Sequence, residues 1–227
     1  MSSEESYKQI EGEWKDFRFR RIQPSDYEAV YEHIAQSFCR DEPTANLLGW
    51  SEEFAADVNR IVAVFLPEGL SFLAEHKSTG KIAGVRITFH HKADSDAFEG
   101  IPLNTRNCKI MVKMVTDVEE MADVTTKHGI NTWAEFLLVS TSQDFRKQGL
   151  AGEFYNRSIK FLKAEGFKHA LVVVTSPYTQ KATSGRGFEQ QSRLDYGNLM
   201  DFDGKTPVFK KEELTPDHFA MVMLKTL

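Results

Sequence analysis

One ordered run near the middle of the chain constrains it most. Trp133-Ala134-Glu135-Phe136-Leu137-Leu138-Val139-Ser140-Thr141 reads as a strand, and Ser142-Gln143-Asp144-Phe145 as a short loop. Arg146-Lys147-Gln148-Gly149-Leu150-Ala151-Gly152 follows as a basic, glycine-containing turn that opens a helix over 149–165. The first backbone N–H groups of a helix lack intrahelical partners, and the helix dipole points at the same end. Such an end attracts anions, phosphate above all. Gly149 has no side chain to block a close approach, and Arg146 and Lys147 add positive charge at the rim. The plain alternative is a basic loop entering an ordinary helix.

Elements on both sides place this run in an α/β fold. Phe17-Arg18-Phe19-Arg20-Arg21-Ile22 alternates with period two, as a strand does. Pro24-Ser25-Asp26-Tyr27-Glu28 opens a helix, with Ser25 and Glu28 spaced as a capping box. Tyr27, Val30, Tyr31, Ile34, Ala35 and Phe38 follow at helical spacing. Arg40-Asp41-Glu42-Pro43 ends that helix, because the residue before a proline disfavours the α region. A second helix is predicted over 52–65, then a hairpin of strands 70–76 and 81–89 around Lys77-Ser78-Thr79-Gly80. A loop over 92–104 leads to a long helix over 106–127. Residues 170–175 form a short apolar strand buried on both faces. A short helix over 178–184 and strands near 192–197 and 218–225 complete the chain. The order predicts a central mixed sheet flanked by helices. Residues 1–15 read as a polar, loosely held segment, and 16–227 as one domain.

Composition removes several classes. No apolar stretch approaches the ~18 residues of a membrane span. The start, Met1-Ser2-Ser3-Glu4-Glu5-Ser6, lacks the apolar core of a signal peptide. Cys39 and Cys108 alone make no disulfide framework, which points to a reducing, cytoplasmic setting. A formal net charge of −5 argues against nucleic acid as partner and suits a cationic small substrate. His90 and His91 are adjacent on a strand and face opposite ways, so they are poorly placed to share a metal, and no metal is expected.

Arg146-Lys147-Gln148-Gly149-Leu150-Ala151 resembles the acetyl-CoA motif of the GNAT-type N-acetyltransferases: Gln or Arg, two residues, Gly, one residue, then Gly or Ala. Gly166-Phe167, the strand at 170–175 and Gly187-Phe188-Glu189 are similar to that family's next elements in order. The resemblance implies a GNAT-like acyl-CoA N-acyltransferase fold with acetyl-CoA as co-substrate. It implies that Val139, Ser140 and Thr141 meet the pantetheine arm. It further implies that the turn Arg146, Lys147, Gln148, Gly149, Leu150, Ala151 and Gly152 holds the pyrophosphate, with Ser176 nearby.

A narrower resemblance spans nearly the whole chain. Asp41-Glu42-Pro43, Thr175-Ser176-Pro177-Tyr178-Thr179 and Pro216-Asp217-His218 are similar to segments of the invertebrate arylalkylamine N-acetyltransferases. This likeness implies Glu42 as the catalytic base, and it puts Thr175 and Thr179 where that group has serines. It implies an arylalkylamine acceptor such as dopamine, tyramine or serotonin. Taken alone, Asp41-Glu42 would read as a solvated turn pair. The tyrosine that many GNAT enzymes use as acid falls on Thr183, so Thr179 is the expected hydroxyl near the leaving thiolate. Tyr178 is expected to pack against cofactor or core. Lys181 and Arg186 are candidates for the cofactor's 3′-phosphate. Met111, Met114 and Met121 line a helix face that suits core or an adaptable apolar pocket. Two rivals stay open: a GNAT enzyme acting on a polyamine, amino acid or peptide, and an acyl-CoA-binding module without turnover.

Overall fold

Alternation decides the first strands. In β2 (Phe17–Arg21), Phe17 and Phe19 turn inward while Arg18 faces water. The computed structural model describes residues 4–227. It places β1 (Gly12–Trp14), β2, β3 (Phe72–His76), β4 (Ile82–Lys92), β5 (Thr132–Thr141), β6 (His169–Val174), β7 (Glu189–Asp195) and β8 (Phe219–Thr226) in one sheet. The strand order is β1-β2-β3-β4-β5-β6-β8-β7. Only β5 and β6 pair in parallel, and every other neighbouring pair is antiparallel. This is the mixed sheet expected from the sequence.

Helices cover both faces. The short α1 (Glu4–Tyr7) precedes β1, and α2 (Tyr27–His33) leads through a π turn, Ile34–Phe38, into α3 (Cys39–Asp41). Next come α4 (Pro43–Leu48), α5 (Glu52–Phe65), α6 (Arg106–Ala122), α7 (Val124–His128), α8 (Leu150–Ala164) and α9 (Pro177–Ser184). On the α8 side, Phe154 packs against Phe19 and Phe72 with ring centroids 5.2 and 5.3 Å apart. On the other side, Val30, Ile34, Phe54, Val58 and Val62 cover Val85, Ile87 and Leu138. Among the described residues, no helix is long and apolar enough to cross a membrane.

Three local expectations are corrected. Residues 1–3 of the supposedly loose start lie outside the described residues, but 4–15 are anchored. Ile10 is fully buried, Tyr7 stacks on Phe161 at 5.5 Å, and Arg157 donates to the Ile10 carbonyl at 2.8 Å. The polar average of the segment hides these few apolar anchors. The expected Ser25–Glu28 capping box does not form: Pro24–Asp26 is a 3-10 turn ahead of α2, and its box uses Asp26, whose carboxylate accepts from the Gln23 backbone N–H at 2.7 Å and from Arg20 at 2.6 Å. The helix predicted over 106–127 is two helices, because Asp123 turns left-handed at φ 46° and its side chain caps α7. The first long helix does end within Arg40-Asp41-Glu42-Pro43, at the extended Glu42, but a π turn the sequence did not show interrupts it. The π turn adds a residue to one turn, a device that recurs at functional sites, and the chain stays helical to Asp41.

Two irregularities shape the centre of the sheet. Leu137 is an extra residue in β5, since Ile87 faces Leu138 while Thr88 faces Phe136. Beside it, β5 and β6 pair only at Ala134–Ala170 and Glu135–Leu171. Past that point the parallel strands part, and one edge of β5 loses its partner strand.

Candidate active site

The parted strands enclose a cavity of about 130 Å³. It passes between the two helical layers. Phe38, Met111 and Met114 line it from one side and Val139 and Tyr155 from the other, with Thr175 and Thr179 at the end of β6. Met111 and Met114 thus reach the pocket their helical spacing allowed, whereas Met121 is 49% exposed and takes no part.

Glu42 is the carboxylate in this cavity best placed to act as a base, and local sequence puts it there. It is the only residue between α3 and α4, extended at φ −68° and ψ 124°, with Pro43 starting the next helix. As the N-cap of α4 it accepts from the Ala45 backbone N–H at 2.6 Å. Thr44 donates its hydroxyl to the other oxygen at 3.0 Å, and the nearby Thr175 hydroxyl also favours the carboxylate. Burial raises the Glu42 pKa above the usual carboxylate range, and these hydrogen bonds only partly offset it. Thr44 in turn bonds the Tyr196 phenol. Tyr196 is fully buried, stacked between Phe209 and His218, and burial next to Glu42 keeps its phenol protonated. The Pro216-Asp217-His218 segment therefore reaches the site through Tyr196. Sequence reading overlooked Thr44 and Tyr196. Position 44 follows the motif directly, but nothing local marks position 196.

The hydroxyl group after β6 is built as a small cap. Ser176 is the N-cap of α9: its Oγ accepts from the Thr179 backbone N–H at 3.2 Å and lies 3.0 Å from Thr179 Oγ1. Its side chain thus holds the helix that carries Thr179. Thr183 is fully buried and donates to the Thr179 carbonyl at 2.9 Å. Tyr178 is 88% exposed, so the expected packing against the core does not occur; the turn of α9 points it outward. Arg186 is engaged by the carbonyls of Ala182 and Gly152 and by Asn156, which fastens α9 to α8. It does not stand free for a phosphate.

The basic turn has the backbone an anion needs. Gly149 is the N-cap of α8, left-handed at φ 89°, and no side chain caps the first turn of the helix. Arg146, Lys147, Gln148 and Gly149 are exposed, and Lys147 is also left-handed at φ 61°. Leu150 anchors the helix in the core beside exposed Ala151. Gly152 meets the Arg186 guanidinium: an added Cβ would lie 2.8 Å from it. Lys15, overlooked in the sequence, donates to the Gln148 carbonyl at 2.7 Å and brings a further cation from the β1–β2 hairpin. Arg146 forms an ion pair with Asp41, so the turn and the corner holding Glu42 are tied together. Of the three β5 residues expected on the pantetheine arm, Val139 lines the cavity. Ser140 points its hydroxyl at His33, 3.1 Å away, and Thr141 accepts from Arg146 through its carbonyl at 3.3 Å. Burial lowers the His33 pKa to about 4, so this contact is uncharged.

Two further groups bear on chemistry. Cys39 and Cys108 are free and buried, and burial pushes both thiols up to about 12, far from the thiolate a nucleophile needs. His90 and His91 do diverge, as strand alternation requires. His91 meets Glu135 at 2.6 Å, and the ligand atoms of His91, Glu119 and Glu135 lie within 4.8 Å of one another, close enough to hold a metal ion. Trp133 also donates to Glu135 at 3.2 Å. Burial and the neighbouring Glu135 carboxylate lift the Glu119 pKa well above its ordinary value.

No family model matches the chain. Solved structures do. A mosquito arylalkylamine N-acetyltransferase-like 5b is 21% identical, with a TM-score of 0.82 over 93% of this chain and 100% of that one. Arylalkylamine N-acetyltransferase 2 from Aedes aegypti is 21% identical, with a TM-score of 0.78 over 93% and 99%. A Drosophila melanogaster polyamine N-acetyltransferase, described as forming N-acetylagmatine, is 16% identical, with a TM-score of 0.76 over 93% and 100%. The chain has the GNAT fold, as the ordered motifs implied.

Proposed function

We propose that this protein is an N-acetyltransferase that moves an acetyl group from acetyl-CoA to a primary amine, with an arylalkylamine as the favoured acceptor. One observation carries the reading: Glu42 sits inside the cavity opened by the parting of β5 and β6, with Thr175 and Thr179 on the same wall. The uncapped start of α8, with Lys15, Arg146 and Lys147 around it, suits the cofactor's pyrophosphate. The partnerless edge of β5 suits the amides of a pantetheine arm. Acetyl-CoA would supply an acyl thioester activated for attack.

The chain's own groups then have distinct tasks. An alkylammonium has a pKa of about 10, so it must lose a proton before it attacks. Glu42 takes that proton, directly or through a water, and its raised pKa makes it a better acceptor than an exposed carboxylate. The amine nitrogen bonds to the acyl carbon while the carbon–sulfur bond breaks and its electron pair leaves on sulfur. The second nitrogen proton passes to sulfur by way of a hydroxyl, for which Thr179, on the cavity wall, is the candidate. Peptide N–H groups on the free edge of β5 steady the carbonyl oxygen. Phe38, Val58, Ile61, Met111 and Met114 give the acceptor side an apolar lining that suits an aromatic ring.

A second reading, a diamine acceptor, is favoured by Glu135, a second carboxylate on the wall of the same cavity. Free, buried thiols suit a cytoplasmic setting. The test is CoA release with acetyl-CoA against arylalkylamines, polyamines and short peptides, on wild type and Glu42→Ala. Turnover of aromatic monoamines that collapses in the variant through kcat supports the proposal. Turnover confined to polyamines or peptides moves the acceptor class. Binding of acetyl-CoA without turnover of any amine replaces the enzyme with a binding module.

A further inference from the structure

Arg86 is the least expected residue in the cavity. It lies on β4 opposite Val139, is 0% exposed, and lines the same space as Glu42 and Thr179. Its guanidinium stacks over Phe136 at 4.5 Å and Tyr155 at 4.3 Å. None of its three nitrogens has a hydrogen-bond partner of good geometry among the described residues; the Tyr155 phenol is its one polar neighbour there, and no carboxylate pairs with it. Isolated charge inside a protein is costly to hold, and a guanidinium is always charged and built for planar oxyanions. Cation–π contact offsets only part of that cost.

The neighbourhood is polar in the same unsatisfied way. The Tyr155 hydroxyl, also on the cavity wall, has no hydrogen-bond partner of good geometry. The same holds for Thr88, two residues along the same face of β4, and for Ser158, one turn along α8 from Tyr155. A donor set of this kind, unmatched inside the fold, is matched by a carboxylate: the guanidinium fork and a phenol supply parallel N–H and O–H bonds to its two oxygens.

We propose that Arg86, with Tyr155, forms a carboxylate-binding subsite in this cavity, so that one of the two reactants carries a carboxylate. Arg86 lies on the α8 side of the sheet, the side of the basic turn, which puts the carboxylate on the acyl donor: a dicarboxylic acyl-CoA of the malonyl or succinyl type. The same chemistry on the acceptor would be an amino acid in place of the decarboxylated amine. The inference rests on the acyl-CoA reading of the cavity and narrows it.

Calorimetric titration separates these sources. Succinyl-CoA and butyryl-CoA have similar length and differ in the terminal carboxylate. Wild type is expected to bind succinyl-CoA about tenfold or more tightly over butyryl-CoA, with the preference abolished in Arg86→Met and partly kept in Arg86→Lys. If the carboxylate belongs to the acceptor, the donors bind alike, but tyrosine is preferred over tyramine with acetyl-CoA present, again only while Arg86 is in place. Arg86→Met removes an unmatched buried charge, so its Tm is expected at or above wild type, which checks that the variant folds. No carboxylate preference in either arm, or one unchanged in Arg86→Met, overturns the subsite while CoA binding stands. A protein that binds no CoA at all sinks the acyl-transfer reading itself, and the subsite with it.

Discussion

The two faces of the sheet are built to different standards. On the α8 face a single 15-residue helix lays Leu150, Phe154, Phe161 and Leu162 onto an aromatic layer. On the opposite face the unbroken α5 and α6 share the cover with a broken stretch: α2 passes through a π turn into the three residues of α3, and α4 starts again at Pro43. The regular face holds the frame and the basic turn at its rim. On the opposite face the broken stretch delivers Glu42 and the π turn to the cavity, while α5 and α6 give it an apolar wall. The contrast shows that a long amphipathic helix is good at filling space, whereas aiming one carboxylate inward takes a chain that stops and restarts.

If that division of labour is right, the largest effect of a single change should come from the broken stretch and be read in rate. Glu42→Ala is expected to lower kcat by ~100-fold or more with KM for the amine changed little, since general-base catalysis contributes about 10²–10⁴. Equal losses in kcat and in binding would instead make Glu42 a scaffold. On the regular face the cost should appear in stability. A Cβ at Gly84 would sit 2.6 Å from the Ser140 carbonyl and 2.8 Å from Phe154. Gly84→Ala is therefore expected to cost about 1–3 kcal/mol in chemical denaturation, and an unchanged midpoint would show that α8 can shift.

A third prediction crosses the two faces. Because the pKa of Glu42 is raised in the folded state, folding holds its proton more tightly than the open chain does. Its contribution is most favourable at acid pH and is lost as pH climbs from the ordinary carboxylate pKa through the raised one. Glu42→Gln should accordingly gain stability at neutral pH, on the order of 1 kcal/mol, with no gain below the carboxylate range. The acid limb of the wild-type kcat profile should lie above that range and vanish in the variant. A gain that is the same at every pH would point to packing instead of charge. The smallest effect is expected at the rim: Arg146→Ala should raise KM for acetyl-CoA several-fold, through about 1 kcal/mol of exposed electrostatics, and the loss should shrink in salt.

Legibility followed the same division. The strand, turn and helix around Gly149 were readable because helix ends and glycine conformations are local properties, and the strand alternation of Phe17 and Phe19 is local too. Glu42 was found through a motif whose own neighbours, read alone, suggested an exposed turn. What hid it was tertiary: Thr175 and Met111 come from distant elements to cover it. Arg86 lay inside a strand that otherwise reads as apolar, and no local rule distinguishes a buried guanidinium from one at an edge. Tyr196 and Lys15 were equally silent, since each meets the site only after the sheet has formed. The helix end at Glu42 was legible because the proline effect acts one residue back, whereas nothing local marked the π turn ahead of it.

The bond between Thr44 and Tyr196 joins residues 152 positions apart. The His33–Ser140 contact spans 107. Such contacts form late, because the entropy of closing a long loop is spent before the contact rewards it. A nascent chain that has emerged through α8 already possesses the residues of its basic turn, yet the carboxylate corner still lacks the phenol that bonds Thr44. If the proposed function holds, competence to hold the nucleotide end of a cofactor would precede competence to react by the 32 residues from Ala164 to Tyr196. In this topology the closing strands act as a timer on the active site as well as a lid on the core.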